Sequence, residues 1–408
     1  MIRRYLYLRR LRKHIYQREE DIEEYRLARL KGLLSYAYKN VPYYRRTWKE
    51  EGFHPSQVGS LSDIVQVPIT SKEYLRSNYE DFIAQPYRPY YEQDRYYLAE
   101  TAGSTGPSIP ILKDRRCQDF QRAVAYRAFL LYGASLSDVK VLSTPQASEM
   151  RGGVLNALFN NHYLHPAECS SKLVEDIDPD IISLQPSTLG ELLYTDIDIS
   201  PEFIQTAGEI LDSERKEEAE KRFDTVVHDI YGSSEAGEIA WRCPVDPEHY
   251  HINSELAVLE TVDEEGDQVW DEYGDAVFTN LSNYYLPLIR LSIGDSIKIR
   301  RQSPCRFPFP EVTGIRGRTG IFALSGGERV YGRDVKEAFH AITGLKHVQV
   351  IANSEPYEVI VDVESSQSAD EVLRSARKVA ENLFDTPFTV TEQELQSDSD
   401  DKILPLVN

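Results

Sequence analysis

Three short segments carry the residue types from which nucleotide chemistry is built. Residues 101–106 read TAGSTG. Two glycines let backbone amides approach a phosphate closely, and the hydroxyls of Ser104 and Thr105 can donate to its oxygens; an ordinary turn before a helix has the same composition. Residues 231–235 read YGSSE, so an aromatic ring, a tight turn and a carboxylate arrive together where a strand ends, the usual place for a ligand in an α/β fold. Tyr231 can stack on a base there and Glu235 can hold a hard cation, although a plain strand-to-loop turn reads alike. Residues 288–295 read LIRLSIGD, in which Asp295 can accept both hydroxyls of a ribose or simply close a Gly-Asp turn.

The elements that must position these segments follow from periodicity. Ile2, Tyr5, Leu6, Leu11 and Ile15 mark a first helix, and a second runs from about Asp21 to Asn40 before Pro42. Thr70 with Glu73 reads as a capping box opening another helix, and a further helix over Asp119 to Gly133 follows the glycine-rich run. An extended stretch at Ile204 to Leu211 leads into the charged helix Glu214 to Phe223, and Val226 to Tyr231 reads as the buried strand that delivers YGSSE. Leu256 to Arg300 is patterned as strands.

Beyond Gly317 the chain restarts: helix Arg333 to Ile342, strands HVQVIAN and YEVIVDVE, helix Ala369 to Phe384 and strand FTVTEQEL. The expected fold is α/β, a large N-terminal domain (1–316) of mixed sheets and helices with a small α+β C-terminal domain (317–408). The acidic stretch Ser397 to Asp401 is expected to be mobile.

Composition excludes several classes of function. With 408 residues and 41% hydrophobic content the chain folds around sizeable cores. Its net charge of -20 repels nucleic-acid backbones. Residues 1–18 nevertheless hold seven Arg and Lys and no acid, which suits a solvated helix face or contact with an anionic membrane surface or acidic partner. No apolar run approaches the ~20 residues that span a bilayer, so a soluble cytoplasmic protein is expected. Cys117, Cys169, Cys243 and Cys305 are too sparse for a disulfide scaffold, leaving reduced thiols or one metal site. The run LSGGE at 324–328 resembles a transporter signature, but no GxxxxGK[ST] loop accompanies it.

Taken in order, these segments resemble the adenylate-forming superfamily, in its phenylacetate-coenzyme A ligase and CapK-like branch. The resemblance extends to NVPYYRR, LSDIVQVPITSKEYLR, TAGEILDSERKEEAEKRF at 206–223 and GRTGIFALSGGERVYGRDVKEAF at 317–339. It implies that Thr101, Ser104, Thr105 and Gly106 hold the ATP phosphates, and that Ala207, Gly208 and Glu209 line the adenine with Tyr231 and Gly232. By the same resemblance Glu235 binds magnesium, Asp295 grips the ribose with Arg318, and the small domain rotates between two half-reactions.

The implied activity is AMP-forming activation of a carboxylic acid, aryl or hydrophobic, with transfer to coenzyme A. Transfer to an amino sugar, a protein thiol or a deazaflavin cofactor is the alternative, as is an inactive nucleotide-binding relative. A homodimer is compatible with either. Four departures stand out. The phosphate run continues as Pro107-Ser108-Ile109-Pro110 with Lys113 the nearest cation, and Gly320 follows the hinge. The adenylation lysine has only Lys402 to represent it, between acids and a short tail. Where relatives bind zinc through a Cys, a His and a Cys-x-Cys pair, this chain has Cys243, His249, His251 and Cys305, with Ser303 in place of the fourth thiol. Both histidines can complete a zinc set, and buried cysteines with surface histidines account for the same letters.

Overall fold

The computed structural model describes residues 2–100, 109–152, 154–300 and 304–318, and beyond them 322–325, 328–330, 335, 338–339, 341–351, 356–363, 368–384, 386–393 and 403–404. The TAGSTG run, Ser303, Gly320, the Ser397–Asp401 stretch, Lys402 and half of the helix expected over Arg333–Ile342 lie outside them. The elements in chain order are α1 (Ile2–His14), α2 (Glu19–Asn40), α3 (Pro42–Glu50), α4 (Lys72–Ser77), β1 (Tyr97–Glu100), β2 (Pro110–Lys113), α5 (Arg115–Leu131), β3 (Lys140–Ser143), β4 (Asn161–Leu164), β5 (Ile181–Leu184), α6 (Pro186–Leu193), β6 (Phe203–Ala207), α7 (Ser213–Phe223) and β7 (Val226–Ser233). Then come β8 (Gly237–Arg242), β9 (Tyr250–Ile252), β10 (Ala257–Val262), β11 (Tyr273–Asn280), β12 (Leu291–Arg300) and β13 (Glu311–Arg318). Contacts divide the chain into two compact units.

The first unit holds Met1–Gly103, Pro107–Gly133 and Ile230–Ile315. Its strands are antiparallel: β10, β11 and β12 pair in that order, and β13, β9, β8 and the end of β7 continue the same pattern. One core lies between these strands and the N-terminal helices, with Tyr44, Trp48, Phe82 and Phe278 buried in it. Asp114 opens α5 by accepting the Cys117 amide at 2.7 Å, so this helix starts before the expected Asp119.

The capping box expected at Thr70 and Glu73 is not formed. Ser71 caps α4 instead, accepting the Tyr74 amide at 3.1 Å. Thr70 is taken by tertiary pairing: its amide donates to Arg290 O at 2.7 Å and its hydroxyl to Ile289 O at 3.2 Å. Long-range backbone pairing thus shifts the cap by one residue.

The second unit contains Ala134–Asp229 and the chain from Arg316. Its first part is a parallel sheet in the order β6, β5, β3, β4, with registers Lys140↔Asn161, Lys140↔Ile181 and Ile181↔Phe203. Continuous apolar strands such as Phe203-Ile204 are buried on both faces, as parallel strands between helices are. Asp212 caps α7 through the Arg215 amide at 2.8 Å, and Asp224 ends it in the left-handed region. Farther along the chain are β14 (Phe322–Ser325), β15 (Glu328–Val330), β16 (Leu345–Ile351), β17 (Tyr357–Val363), α8 (Ala369–Leu383), β18 (Phe388–Glu392) and β19 (Ile403–Leu404). The last four strands pair as β18, β17, β16, β19, and Val359, Val361, Val372 and Ala376 share a separate core. The molecule is α/β with a large mixed-sheet part and a smaller α+β part at the C-terminus, as expected.

Candidate nucleotide site and metal cluster

The YGSSE segment is the tight turn between antiparallel β7 and β8, with Ser234, Glu235 and Ala236 at its tip. Gly232 is required by close approach: a Cβ there would lie 2.6 Å from the Gly237 carbonyl oxygen. The turn is clamped from two elements, since Gln121 of α5 donates to Ala236 O at 3.1 Å and Asn280 of β11 to Glu235 O at 3.4 Å.

Glu235 is 1% exposed, and its Oε1 lies 2.6 Å from Lys72 Nζ at the start of α4. Burial by itself would raise this carboxyl, but the Lys72 charge and hydrogen bond, with help from the Glu235 amide and Ser233, outweigh it and hold the pKa below the ordinary value. Glu235 is therefore an anion at neutral pH. Lys113, at the end of β2, is buried nearby; burial lowers its pKa, opposed by Cys117 and Glu235. Tyr231 donates its hydroxyl to Asp295 Oδ2 at 2.9 Å, and both side chains are buried. Two of the expected nucleotide residues thus meet directly.

The arginine of LIRLSIGD does other work. Arg290 pairs with Glu260 at 3.0 Å and donates to the carbonyls of Val65 and Val67, so it locks the strand in place.

In the second unit, Ala207, Gly208 and Glu209 sit where β6 ends, and Gly208 is in the left-handed region at φ 92°. The Glu209 carboxylate is engaged: Ser187 donates its amide at 2.8 Å and its hydroxyl at 2.9 Å, which fixes the start of α6. Thr206 donates to Asp229 at 2.9 Å. Arg318 ends β13, with its side chain outside the described residues.

Cys243, His249, His251 and Cys305 come together in the first unit, their ligand atoms all within 4.8 Å of one another. The two Sγ atoms are 3.9 Å apart and the two Nε2 atoms 3.2 Å apart. Tetrahedral zinc with Zn–S near 2.3 Å and Zn–N near 2.0–2.1 Å sets these separations at about 3.8 Å and about 3.3 Å. The donor set therefore fits zinc.

The surroundings fit it too. The Val245 and Asp246 amides point at Cys243 Sγ at 3.4 and 3.5 Å, Asp246 lies 3.3 Å from His249 Nδ1, and Phe309 O lies 3.4 Å from His251 Nδ1. Glu311 borders the set, 3.3 Å from His249 Nε2. Burial, reinforced by His249, pushes the His251 pKa down to about 3, so that its ring is neutral.

Lys72, Gln121 and Asn280 are functional candidates that sequence reasoning did not assign. Lys72 lay within the quoted segment PITSKEYLR, which was the only signal.

No family model matches the chain. It is similar to a phenylacetate-coenzyme A ligase of Pseudomonas putida, 26% identical over 381 residues that cover 86% of this chain and 84% of the relative. It is also similar to the protein CapK of Staphylococcus aureus, 23% identical over 78% of this chain and 73% of the relative. Among solved structures, 2-hydroxyisobutyryl-CoA ligase in its postadenylation state, in complex with R3-HIB-AMP, superposes with a TM-score of 0.75 at 18% identity, covering 95% of this chain and 90% of that one. In sequence the chain is thus similar to phenylacetate-coenzyme A ligases and to CapK, and its fold is that of 2-hydroxyisobutyryl-CoA ligase.

Proposed function

We propose that the chain is an AMP-forming acid–thiol ligase. With ATP and magnesium it activates a carboxylic acid, aryl or otherwise hydrophobic, as an acyl-adenylate, and it then transfers the acyl group to coenzyme A. The supporting observation is the buried Glu235 turn, kept ionised by Lys72 at the end of the strand that carries Tyr231 and, through it, Asp295. Sequence relatives that are coenzyme A ligases, and a fold neighbour holding an acyl-adenylate, support the same reading.

Adenylation joins a carboxylate oxygen to the α-phosphorus and breaks the bond to pyrophosphate, so an anion must attack an anion. Donors and cations fixed in advance lower that barrier. Thr101, Ser104, Thr105 and Gly106 hold the phosphates, and Lys72 supplies the cation that the phosphate run lacks. One carboxylate with phosphate oxygens and water is a sufficient set for magnesium; bound at Glu235, the ion supplies charge neutralisation. The Tyr231 ring and Gly232, with Ala207, Gly208 and Glu209, accommodate the adenine, while Asp295 and Arg318 accept the ribose.

Residues 317–408 act as the mobile domain, and Lys402 serves the adenylation step. The acyl-adenylate is a mixed anhydride with AMP as its leaving group, which the thiol of coenzyme A displaces. Cys243, His249, His251 and Cys305 hold a structural zinc that fixes the ends of β8 and β9. The setting is the cytoplasm, whose reducing thiol pool suits four free cysteines.

The test is product analysis with ATP, magnesium, coenzyme A and a panel of aryl, acyl and amino acids. Equal yields of acyl-coenzyme A and free AMP are expected. A product that retains the AMP, or an acyl group found on an amine, contradicts the assigned acceptor.

A further inference from the structure

Helix α1 is two-faced, and among the described residues its packing contacts are made mainly from one face. On the inner face Leu8 and Leu11 are buried, Tyr7 meets Phe120 edge-on at 5.2 Å, Arg4 pairs with Asp119 at 3.2 Å, and His14 contacts Glu255 at 3.0 Å. The helix is thereby fixed to α5 and to the first unit's core.

The opposite face is spaced three and four residues apart: Ile2, Tyr5, Leu6, Arg9, Arg12 and Lys13, all exposed. Ile2, Tyr5 and Leu6 are 76%, 60% and 53% exposed, which is unusual for three apolar side chains on successive turns of one face. The cations follow them on the same arc. No acid occurs before Glu19, although the whole chain carries a charge of -20, and Arg18 meets the first acids of α2 through Glu20 and Asp21.

We propose that this outward face of α1 docks on an anionic lipid surface. An interfacial helix needs an apolar group to enter the acyl boundary and long cationic side chains to reach the phosphates. Here the apolar three fill the N-terminal half of the face and Arg9, Arg12 and Lys13 the C-terminal half, so a slightly tilted seating sets each at its own depth. Charge complementarity selects the occupant. Residues 1–18 hold seven Arg and Lys and no acid on a chain of net charge -20, and a convex single-helix face offers no groove for a partner's side chains. Its attraction acts within a Debye length, where the remote negative charge of the rest of the chain is screened.

The test is co-sedimentation of the full chain with vesicles of phosphatidylcholine and phosphatidylserine, beside vesicles of phosphatidylcholine alone. Partition is expected to be roughly tenfold or more stronger on the anionic vesicles and to weaken with salt. The double variant R9E/R12E should lose it, and because both positions are exposed its thermal midpoint should stay unchanged. Leu6→Trp, in an otherwise unaltered chain, should show a blue shift of emission on anionic vesicles. Equal partition onto both vesicles, no partition onto either, retention of binding by R9E/R12E, or an unshifted Leu6→Trp emission would each overturn the proposal. Recruitment by an acidic protein while vesicles are ignored would do so as well.

Discussion

Lys72 Nζ sits 2.6 Å from Glu235 Oε1, joining the first turn of a short N-terminal helix to the tip of the β7–β8 turn. The pair explains how a carboxylate that is 1% exposed stays ionised. If Glu235 held magnesium, the ion would share this carboxylate with the Lys72 ammonium and would supply charge neutralisation there, and Lys72 would be the cation available to the phosphates.

Lys72→Met removes the cation and leaves burial to act alone. The Glu235 carboxyl then rises, and the acid limb of kcat/KM against pH moves to higher pH. The rate at neutral pH falls by roughly 100-fold, the scale for losing one fixed electrostatic group. Lys72→Arg keeps the charge and should return the limb toward its original position. A limb that stays in place in Lys72→Met separates Lys72 from Glu235 in function.

How much of this was legible in the sequence depended on range. The β7 strand and its turn were readable because apolar periodicity and the letters YGSSE are local, and Tyr231 and Asp295 could be named because each stands in a compact motif. Lys72 could not be assigned, since its partner lies far along the chain and a lysine at a helix start is ordinary on a surface. Thr70 misled for the same reason: its hydroxyl has the right spacing for a cap, yet it donates to Ile289 O while the Thr70 amide donates to Arg290 O. Glu209 was expected at the adenine, and its carboxylate is held by Ser187, an interaction no spacing rule foresees. The four metal-ligand candidates were named from letters alone, and only the fold could show that both histidines face both thiols.

Zinc binding is checked by elemental analysis of the purified chain. One zinc per chain is expected, with loss of the metal in Cys243→Ser and in Cys305→Ser. Chelation should lower the thermal midpoint, since a metal present at a hundred times its Kd stabilises the fold by about 2.7 kcal/mol. A metal-free chain whose midpoint is insensitive to chelator contradicts the assignment.

Glu238, the second residue of β8, has its Oε2 buried without a hydrogen-bond partner, and burial, only partly offset by Arg127, pushes its pKa from 4.5 up to about 7. Between those values the folded chain keeps a proton that the unfolded chain has lost, so stability declines as pH rises through that window. Glu238→Gln removes the titration and should flatten the decline, leaving the variant more stable by about 3 kcal/mol above the window. Urea unfolding at several pH values reads this directly, and parallel curves for the two proteins would show that Glu238 is not buried as an acid.

The most direct test of adenylation is carboxylate-dependent release of pyrophosphate from ATP and magnesium, across aryl, acyl and amino acids, with wild type beside Glu235→Gln. Release that depends on one class of acid, and that falls by at least roughly 100-fold in the folded variant, is the result predicted from a catalytic Glu235. ATP binding with no pyrophosphate released for any acid, or release that Glu235→Gln leaves intact, would contradict it.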